Sequence, residues 1–197
     1  MKSITDTFSP TITNMIRMDH TAVMETFHQY EIDSRPQTKK VLVSTVCLAL
    51  EIHAQLEEEI FYPAMRTAGG DAGFLDRSVP EHSEMRRLIA KLRTMEPDNP
   101  DYDDTFMELM RDVMHHVADE ETTLLPQAER LLADRLGELG AQMTRRRVQL
   151  AAPRAGEIAM NTVRGFPTSS MIVAAGAVLA GTYFAKRAMG PATGRRH

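Results

Sequence analysis

Apolar residues recur at helical intervals in the segment that begins at Pro36, where they are Val41, Val43, Leu48, Ile52, Leu56 and Ile60. This spacing predicts one long helix that runs from Pro36 past Pro63 and stops at Gly69-Gly70. An earlier periodic run, from Ser9-Pro10 to about Glu31, predicts a first helix, because serine caps helix N-termini and proline fits the first turn.

Two more helices are predicted after the Gly-Gly stop. One begins near Ser78-Val79-Pro80-Glu81, a proline-containing entry, and ends before Glu96-Pro97. The other follows the acidic loop from Asp98 to Asp104, since acidic side chains stabilise the positive end of a helix. Four helices with short connections predict an all-α fold of the up-down-up-down four-helix-bundle type.

The same set of residues occurs twice along these helices. The first copy is Asp19-His20, His53, Glu57-Glu58 and Pro63, and the second is Glu81-His82, His116, Glu120-Glu121 and Pro126. The two copies are 62 or 63 residues apart throughout. This repetition indicates an internally duplicated protein whose halves supply matching ligands to one metal centre.

The residue types and their spacing explain why a metal is expected. Histidine and glutamate four residues apart lie on one helix face and can point at the same place. Imidazole and carboxylate suit iron, manganese or zinc, while a single cysteine, Cys47, cannot build a thiolate site. A buried polar network without metal is the alternative, but unpaired burial of these groups would be costly. The predicted ligands, which fit two ions better than one, are His20, His53, Glu57, His82, His116 and Glu120.

The order His, His-x-x-x-Glu-Glu, His, His-x-x-x-Glu-Glu, with a proline after each Glu-Glu, resembles the hemerythrin-like, or HHE cation-binding, family over roughly residues 10–132. The resemblance implies four antiparallel helices around two iron ions in a non-haem di-iron centre. His20 and His53 would then serve one iron and His82 and His116 the other. Glu57 and Glu120 would bridge the two.

The chain departs from the oxygen-carrying hemerythrins at two positions. A carrier has a further histidine four residues after the third-helix ligand, where this chain has Arg86, which cannot ligate because it stays protonated. The last acidic ligand of a carrier is an aspartate one residue farther along than Glu120. The more symmetric centre implied here favours reaction with oxygen or hydrogen peroxide, including catalase-like turnover, over stable oxygen carriage. A module that binds or senses iron, oxygen or nitric oxide without turnover is the alternative, and a structural bundle with vestigial ligands is a third.

Residues near the predicted ligands have a structural and a functional interpretation. Asp19 and Glu81 either orient the adjacent histidines or are ordinary helix-end acids. Glu58 and Glu121 lie about 100° around the helix from the predicted ligands and are expected not to ligate. Tyr62 is expected to pack at a helix end rather than to reach the metal. The histidines without a repeated partner are also expected to stay outside the site, and these are His28, His115 and His197.

Length and composition bound the domain organisation. The chain has 197 residues and a net charge of −4, which gives no general attraction to nucleic acid. The predicted domains are the metal-binding bundle at residues 1–135, a polar helix and linker at 136–164, and a C-terminal hydrophobic helix at 165–188. Polar residues interrupt the apolar positions of the first thirty residues, which is not typical of a secretory signal and favours a cytoplasmic bundle.

The C-terminal segment suggests membrane association. No charged residue occurs from Gly165 to Ala185, and basic residues flank the stretch on both sides. At helical rise this length is close to one hydrocarbon thickness, which favours a transmembrane anchor. A shorter apolar helix that docks on the bundle or forms a homo-oligomer is the alternative.

Overall fold

The computed structural model describes residues 10–165, and every regular element within that range is helical. The prediction of an all-α fold is thereby confirmed. The helices are α1 (Ile12–Phe27), α2 (Pro36–Leu56), α3 (Tyr62–Thr67), α4 (Ala72–Thr94), α5 (Tyr102–Asp119), α6 (Leu125–Leu131), α7 (Leu136–Ala151) and α8 (Ala155–Gly165). A π-helical turn, Glu57–Phe61, joins α2 to α3, and a second one, Glu120–Leu124, joins α5 to α6.

The repeated residues lie on four of these segments, in which α1 packs on α2 and α4 packs on α5. Two apolar clusters fill the interior. One contains Ile16, Leu56, Leu75 and Leu124, and the other contains Val23, Leu50, Met85 and Val113. On each of the four segments, the predicted histidine ligand comes, along the chain, between a residue of one cluster and a residue of the other. The metal-ligand candidates therefore form a polar layer between two apolar halves of the core.

The two π-helical turns explain the repeated prolines. A proline inside an α-helix lacks the N–H for its hydrogen bond and clashes with the carbonyl four residues earlier. Pro63 and Pro126 each follow a π-helical turn in which the preceding residue bonds five residues back, from Tyr62 N–H to the Glu57 carbonyl and from Leu125 N–H to the Glu120 carbonyl. The widened turn lets the chain continue as a helix beyond each proline. Gly69, with φ of 80°, then ends α3 at the predicted stop.

Two predicted helix boundaries are wrong. Helix α1 is capped by the Thr11 side chain, which accepts from the Asn14 N–H, and it ends at Phe27 instead of Glu31. Helix α4 begins at Ala72, seven residues before the predicted Val79 entry, because Asp71 caps it through the Phe74 N–H and because Phe74 itself is buried.

Pro80 lies inside helix α4 and does not start it. The helix tolerates this proline on an exposed part of its surface, where a carbonyl that lacks its helical partner can bond to water. His82 consequently lies well inside the helix and not in its first turn.

Helices α7 and α8 enlarge the body beyond the four repeated segments. Helix α7 packs on α1 and α2, and α8 packs on α2. Residues 155–165 are also helical, and most of them lie within the 136–164 segment predicted to contain a polar helix and a linker. The predicted hydrophobic segment at 165–188 falls, apart from Gly165, outside the described residues. Among residues 10–165, no helix has the length and apolar character that a membrane span requires.

Gly140 allows α7 to approach the start of α1 closely. A Cβ at this position would lie 2.0 Å from the Pro10 carbonyl oxygen and 3.0 Å from the Ile12 nitrogen. Both atoms belong to the backbone, so neither can move aside cheaply. By contrast, a Cβ on Gly137 of the same helix would meet nothing within 4 Å.

We expect Gly140→Ala to lower the free energy of unfolding by about 1–3 kcal/mol, the usual cost of overpacking. Gly137→Ala should raise it by roughly 0.5–1 kcal/mol, because alanine is the better helix former. Thermal and denaturant unfolding of both variants would measure the difference. Equal stabilities would show that α7 does not need this close approach.

Candidate metal centre

The six predicted ligands meet in the polar layer between the two apolar clusters. All six are buried, with side chains between 0 and 7 % exposed. Their donor atoms form two groups, within each of which all atoms lie less than 4.8 Å apart. One group comprises His20, His53, Glu57 and Glu120, and the other comprises Glu57, His82 and His116.

Distances within the layer show how the two groups share their carboxylates. Glu57 Oε2 lies 3.3 Å from His53 Nε2 and 3.4 Å from His82 Nε2, so it faces both groups. Glu120 Oε2 lies 3.3 Å from His20 Nε2 and 3.7 Å from His116 Nε2. Each glutamate is therefore positioned between a histidine of one group and a histidine of the other.

Several buried atoms in this layer have no hydrogen-bonding partner among the described residues. They include Glu57 Oε1, together with His20 Nε2 and Glu120 Oε2, which face each other at 3.3 Å without forming a hydrogen bond. Buried nitrogen and oxygen acceptors are rarely left unpartnered, because the loss of water is then uncompensated. A cation bound between them would use these lone pairs, so the residues present fit a metal ion or a pair of ions.

The buried carboxylates of the layer also need positive charge nearby, which either protonated imidazole or a metal ion supplies. Burial raises the pKa of the Glu57 carboxyl, but the surrounding imidazoles outweigh burial and hold this pKa well below its ordinary range. Burial lowers the pKa of His116, but the carboxylates of Glu57, Glu81 and Glu120 outweigh it and raise this pKa to about 10. Without metal, protons on imidazole balance the buried carboxylates. Metal binding must displace those protons.

A second carboxylate holds the outer nitrogen of every histidine. The Nδ1 atoms of His20, His53, His82 and His116 lie 2.8, 3.3, 2.9 and 2.8 Å from oxygens of Glu121, Asp19, Glu58 and Glu81, respectively. An Nδ1–H bonded to a carboxylate leaves Nε2 as the acceptor, aimed into the layer, and makes the imidazole a better ligand. All four rings are thus oriented for coordination through Nε2.

These carboxylates bond across helices and not to the histidine beside them. Asp19 faces His53 and not its neighbour His20, and Glu81 faces His116 and not its neighbour His82. The second glutamate of each Glu-Glu pair also orients a ring, which sequence reasoning missed for Glu58 and Glu121. The occurrence of a second glutamate beside both ligand glutamates was the sequence signal that could have indicated this role.

Arginines neutralise several of the outer carboxylates. Arg17 Nε donates to Glu121 at 3.1 Å, and an Arg86 nitrogen donates to Glu58 at 2.9 Å. Arg86, which occupies the position of the carrier's extra histidine, therefore acts on His82 through Glu58. Burial raises the pKa of the Asp19 carboxyl, but hydrogen bonds from His53 and Arg147 lower it to about 2.

Tyr62 reaches the site, contrary to the expectation that it packs at a helix end. Its side chain is buried, and its hydroxyl lies 3.2 Å from Glu57 Oε2, 3.0 Å from Glu120 Oε1 and 3.5 Å from His82 Nε2. Burial and the two carboxylates raise the pKa of this phenol, so it stays protonated. The corresponding residue of the second half is Leu125. The repeat therefore gave no signal for Tyr62.

A small cavity of about 10 Å³ borders the histidines. Besides Asp19 and the four histidines, its lining is apolar and consists of Val23, Leu50, Ala54, Met85, Val113 and Val117. This volume is about the minimum that holds one water molecule. The space among the histidines is consequently suited to a metal ion or to a molecule of very few atoms.

Comparison with known proteins agrees with this geometry. The hemerythrin HHE cation-binding domain matches residues 11–128. The chain belongs to this family. A solved structure of an HHE cation-binding-domain protein from Mycobacterium kansasii is similar with a TM-score of 0.61 and 18 % identity, over 84 % of this chain and 99 % of that one. At this identity the likeness concerns the fold.

A curated relative is a DNA nickase from Nostoc, which is 34 % identical over 113 residues. The match covers 57 % of this chain and 32 % of the nickase. The shared region is therefore about a third of the length of that relative.

The shared carboxylates lead to a prediction about metal content. Glu57→Ala and Glu120→Ala should each lose much of the metal, because each removes a donor that faces both groups. Protein loaded with iron(II) under anaerobic conditions should hold about two irons per chain, measured by elemental analysis. The control variants are His28→Ala and His115→Ala, whose exposed side chains lie outside the site and should leave the count unchanged. One tightly held ion in the wild type would contradict a dinuclear site.

Proposed function

We propose that the protein is a non-haem di-iron protein that binds iron and reacts with oxygen or hydrogen peroxide. The convergence of four Nε2 atoms on two buried carboxylates, with acceptor atoms left unpartnered, carries this proposal. His20 and His53 would hold one iron, and His82 and His116 the other. Glu57 and Glu120 would bridge the two.

The donor set favours iron over softer metals. Four imidazoles and two carboxylates suit iron, manganese or zinc, whereas no thiolate is within the site. Iron would supply one-electron steps with small oxygen species, which zinc cannot provide. Metal analysis distinguishes these ions directly.

The surroundings of the ligands favour a small and neutral reactant. The cavity beside the histidines holds about 10 Å³ and presents apolar side chains, so oxygen or hydrogen peroxide fits better than an organic substrate. The two apolar clusters on either side of the layer keep bulk water away. Tyr62 holds a proton on its hydroxyl, within hydrogen-bonding distance of both shared carboxylates.

Peroxide disproportionation is the turnover that needs nothing beyond the chain, its iron and peroxide. One peroxide is reduced to two waters with two electrons and two protons, and a second supplies these as it is oxidised to oxygen. Tyr62 and the carboxylates it faces are placed to hold and pass a proton during such a cycle. The second candidate is a module that binds or senses iron, oxygen or nitric oxide without turnover, for which the same small cavity would serve.

Nicking of DNA is not proposed for this chain. The Nostoc nickase is matched over 32 % of its length, so nothing in the match assigns its activity to the shared part. A net charge of −4 gives this chain no general attraction for a phosphate backbone.

Oxygen evolution tests the proposed turnover. Iron-loaded wild type should release oxygen from added hydrogen peroxide at close to one oxygen per two peroxides, followed with an oxygen electrode. Glu57→Ala, treated identically, should be nearly inactive, which controls for loosely bound iron. A wild type that leaves peroxide untouched but binds oxygen or nitric oxide reversibly over many cycles would instead favour the binding or sensing module.

Tyr62→Phe tests the role of the phenol proton. We expect unchanged iron content and a rate of peroxide breakdown lower by about 100-fold, the lower end of the range for the loss of a proton-transfer group. Tyr30→Phe is the matched control, because it removes a phenol that bonds to Asp103, in another part of the chain from the ligands. If Tyr62→Phe keeps the full rate, then the hydroxyl only packs and the proton comes from elsewhere.

A further inference from the structure

Helix α7 lies outside the matched family domain, yet one of its side chains reaches the metal-ligand layer. The match ends at residue 128, and α7 spans Leu136–Ala151. Two nitrogens of Arg147 donate to the two oxygens of Asp19 at 2.6 and 2.5 Å, a bidentate pair. Asp19 Oδ2 in turn lies 3.3 Å from His53 Nδ1. A continuous path of polar contacts thus joins α7 to a predicted ligand.

The position of Arg147 is fixed by the packing of its helix. Leu139, Ala141 and Met143 of α7 are buried, and Gly140 brings the helix against the backbone at the start of α1. The Thr144 hydroxyl also lies 3.3 Å from the sulfur of Met15 in α1. Because α1 also carries Asp19, Arg147 and the Asp19 carboxylate lie on two helices that pack closely against each other.

The same arrangement occurs twice elsewhere, with arginines from within the matched domain. Arg17 bonds to Glu121, which bonds to His20, and Arg86 bonds to Glu58, which bonds to His82. In both, an arginine fixes the carboxylate that fixes the ring. For His53 the equivalent arginine comes from α7. This equivalence distinguishes Arg147 from an ordinary surface ion pair.

We propose that Arg147 is a positioning residue of the metal centre. Through it, α7 supports the ligand group that contains His20 and His53. By holding Asp19 in one geometry, Arg147 keeps the His53 Nδ1–H engaged and Nε2 aimed at the metal. Loss of the arginine frees Asp19 to rotate or to hydrate, and His53 then samples other orientations. The inference rests on the metal-binding part of the proposed function and is independent of any reaction with oxygen or peroxide.

The neighbouring residue provides a matched control. Arg146 has a side chain exposed to 34 %, against 33 % for Arg147, and it also makes a two-nitrogen ion pair, with Glu59 at 2.6 and 2.9 Å. Glu59 accepts from Gln55 and Arg146, and neither contact leads to a predicted ligand. Arg146→Met and Arg147→Met thus remove the same charge and a similar ion pair from adjacent positions of one helix.

The test is anaerobic titration of metal-free full-length protein with iron(II), using a competing chelator to obtain each dissociation constant. Arg147→Met should raise the dissociation constant of one of the two irons by about 10-fold, at the lower end of the range for residues that support metal ligands. The other iron should bind as in the wild type. Arg147→Lys should recover part of the loss, because it restores the charge but not the bidentate geometry. Arg146→Met should match the wild type at both irons.

A double variant shows whether Arg147 acts through Asp19. Asp19→Asn alone should raise the dissociation constant of one iron by about 10- to 100-fold. Adding Arg147→Met should raise it little further, because the two residues act along one path of contacts. A full 10-fold further loss in the double variant would show that Arg147 acts merely by stabilising the fold, and would overturn the proposal.

The remaining outcomes separate this inference from the proposed function. Two irons in the wild type, with equal affinities in Arg147→Met and Arg146→Met, would overturn the role of α7 and leave the di-iron proposal standing. A wild type that binds neither iron(II) nor cobalt(II) would overturn the metal site and, with it, this inference. Circular dichroism of each variant confirms that the helices are intact before titration.

Discussion

The burial of two carboxylates, Glu57 and Glu120, is the constraint on which the rest of the structure depends. Moving an ion from water into a protein interior costs several kcal/mol even after relaxation, so each charge must be compensated nearby. Four imidazoles provide that compensation from four separate helical segments. A further carboxylate on every ring then favours a positive charge in the layer, whether proton or metal. The apolar clusters on either side give the helices their packing, while this polar layer fixes their register relative to one another.

Much of the site could be predicted because its ligands obey helical periodicity within a repeat. His53 with Glu57, and His116 with Glu120, share a helix face by spacing alone, and the offset of 63 residues shows that the halves match. Contacts between side chains of different helices could not be predicted in this way. That Asp19 faces His53 and not His20 depends on how α1 and α2 are rotated, which no local spacing records. The start of α4 was misplaced for a related reason: Pro80 is a strong local signal, but the burial of Phe74 and Leu75 outweighs it.

The two halves of the site are less equal than the repeat implies. Tyr62 has Leu125 as its counterpart, so a single phenol serves both shared carboxylates. Its ring stacks on His82, at a centroid distance of 5.7 Å, and therefore lies next to the histidines of the second half. Helix α7 supports the opposite side through Asp19 and His53. The repeated ligands are thus symmetric, while Tyr62, which the second half replaces with Leu125, and Arg147 of α7 make their surroundings different.

This difference has a chemical consequence for whatever binds in the small cavity. Imidazole basicity rises as the hydrogen bond from Nδ1–H to its carboxylate strengthens, and an arginine on that carboxylate draws charge away and weakens the effect. The four rings differ in this respect: arginines contact the carboxylates behind His20, His53 and His82, whereas Glu81 behind His116 has no arginine hydrogen bond among the described residues. Metal ions held by the two pairs of rings would consequently experience unequal donor strength. In the function proposed above, such an uneven pair would polarise a small symmetric molecule such as oxygen or peroxide more than an equal pair would, and the Tyr62 hydroxyl would offer its proton from beside both shared carboxylates.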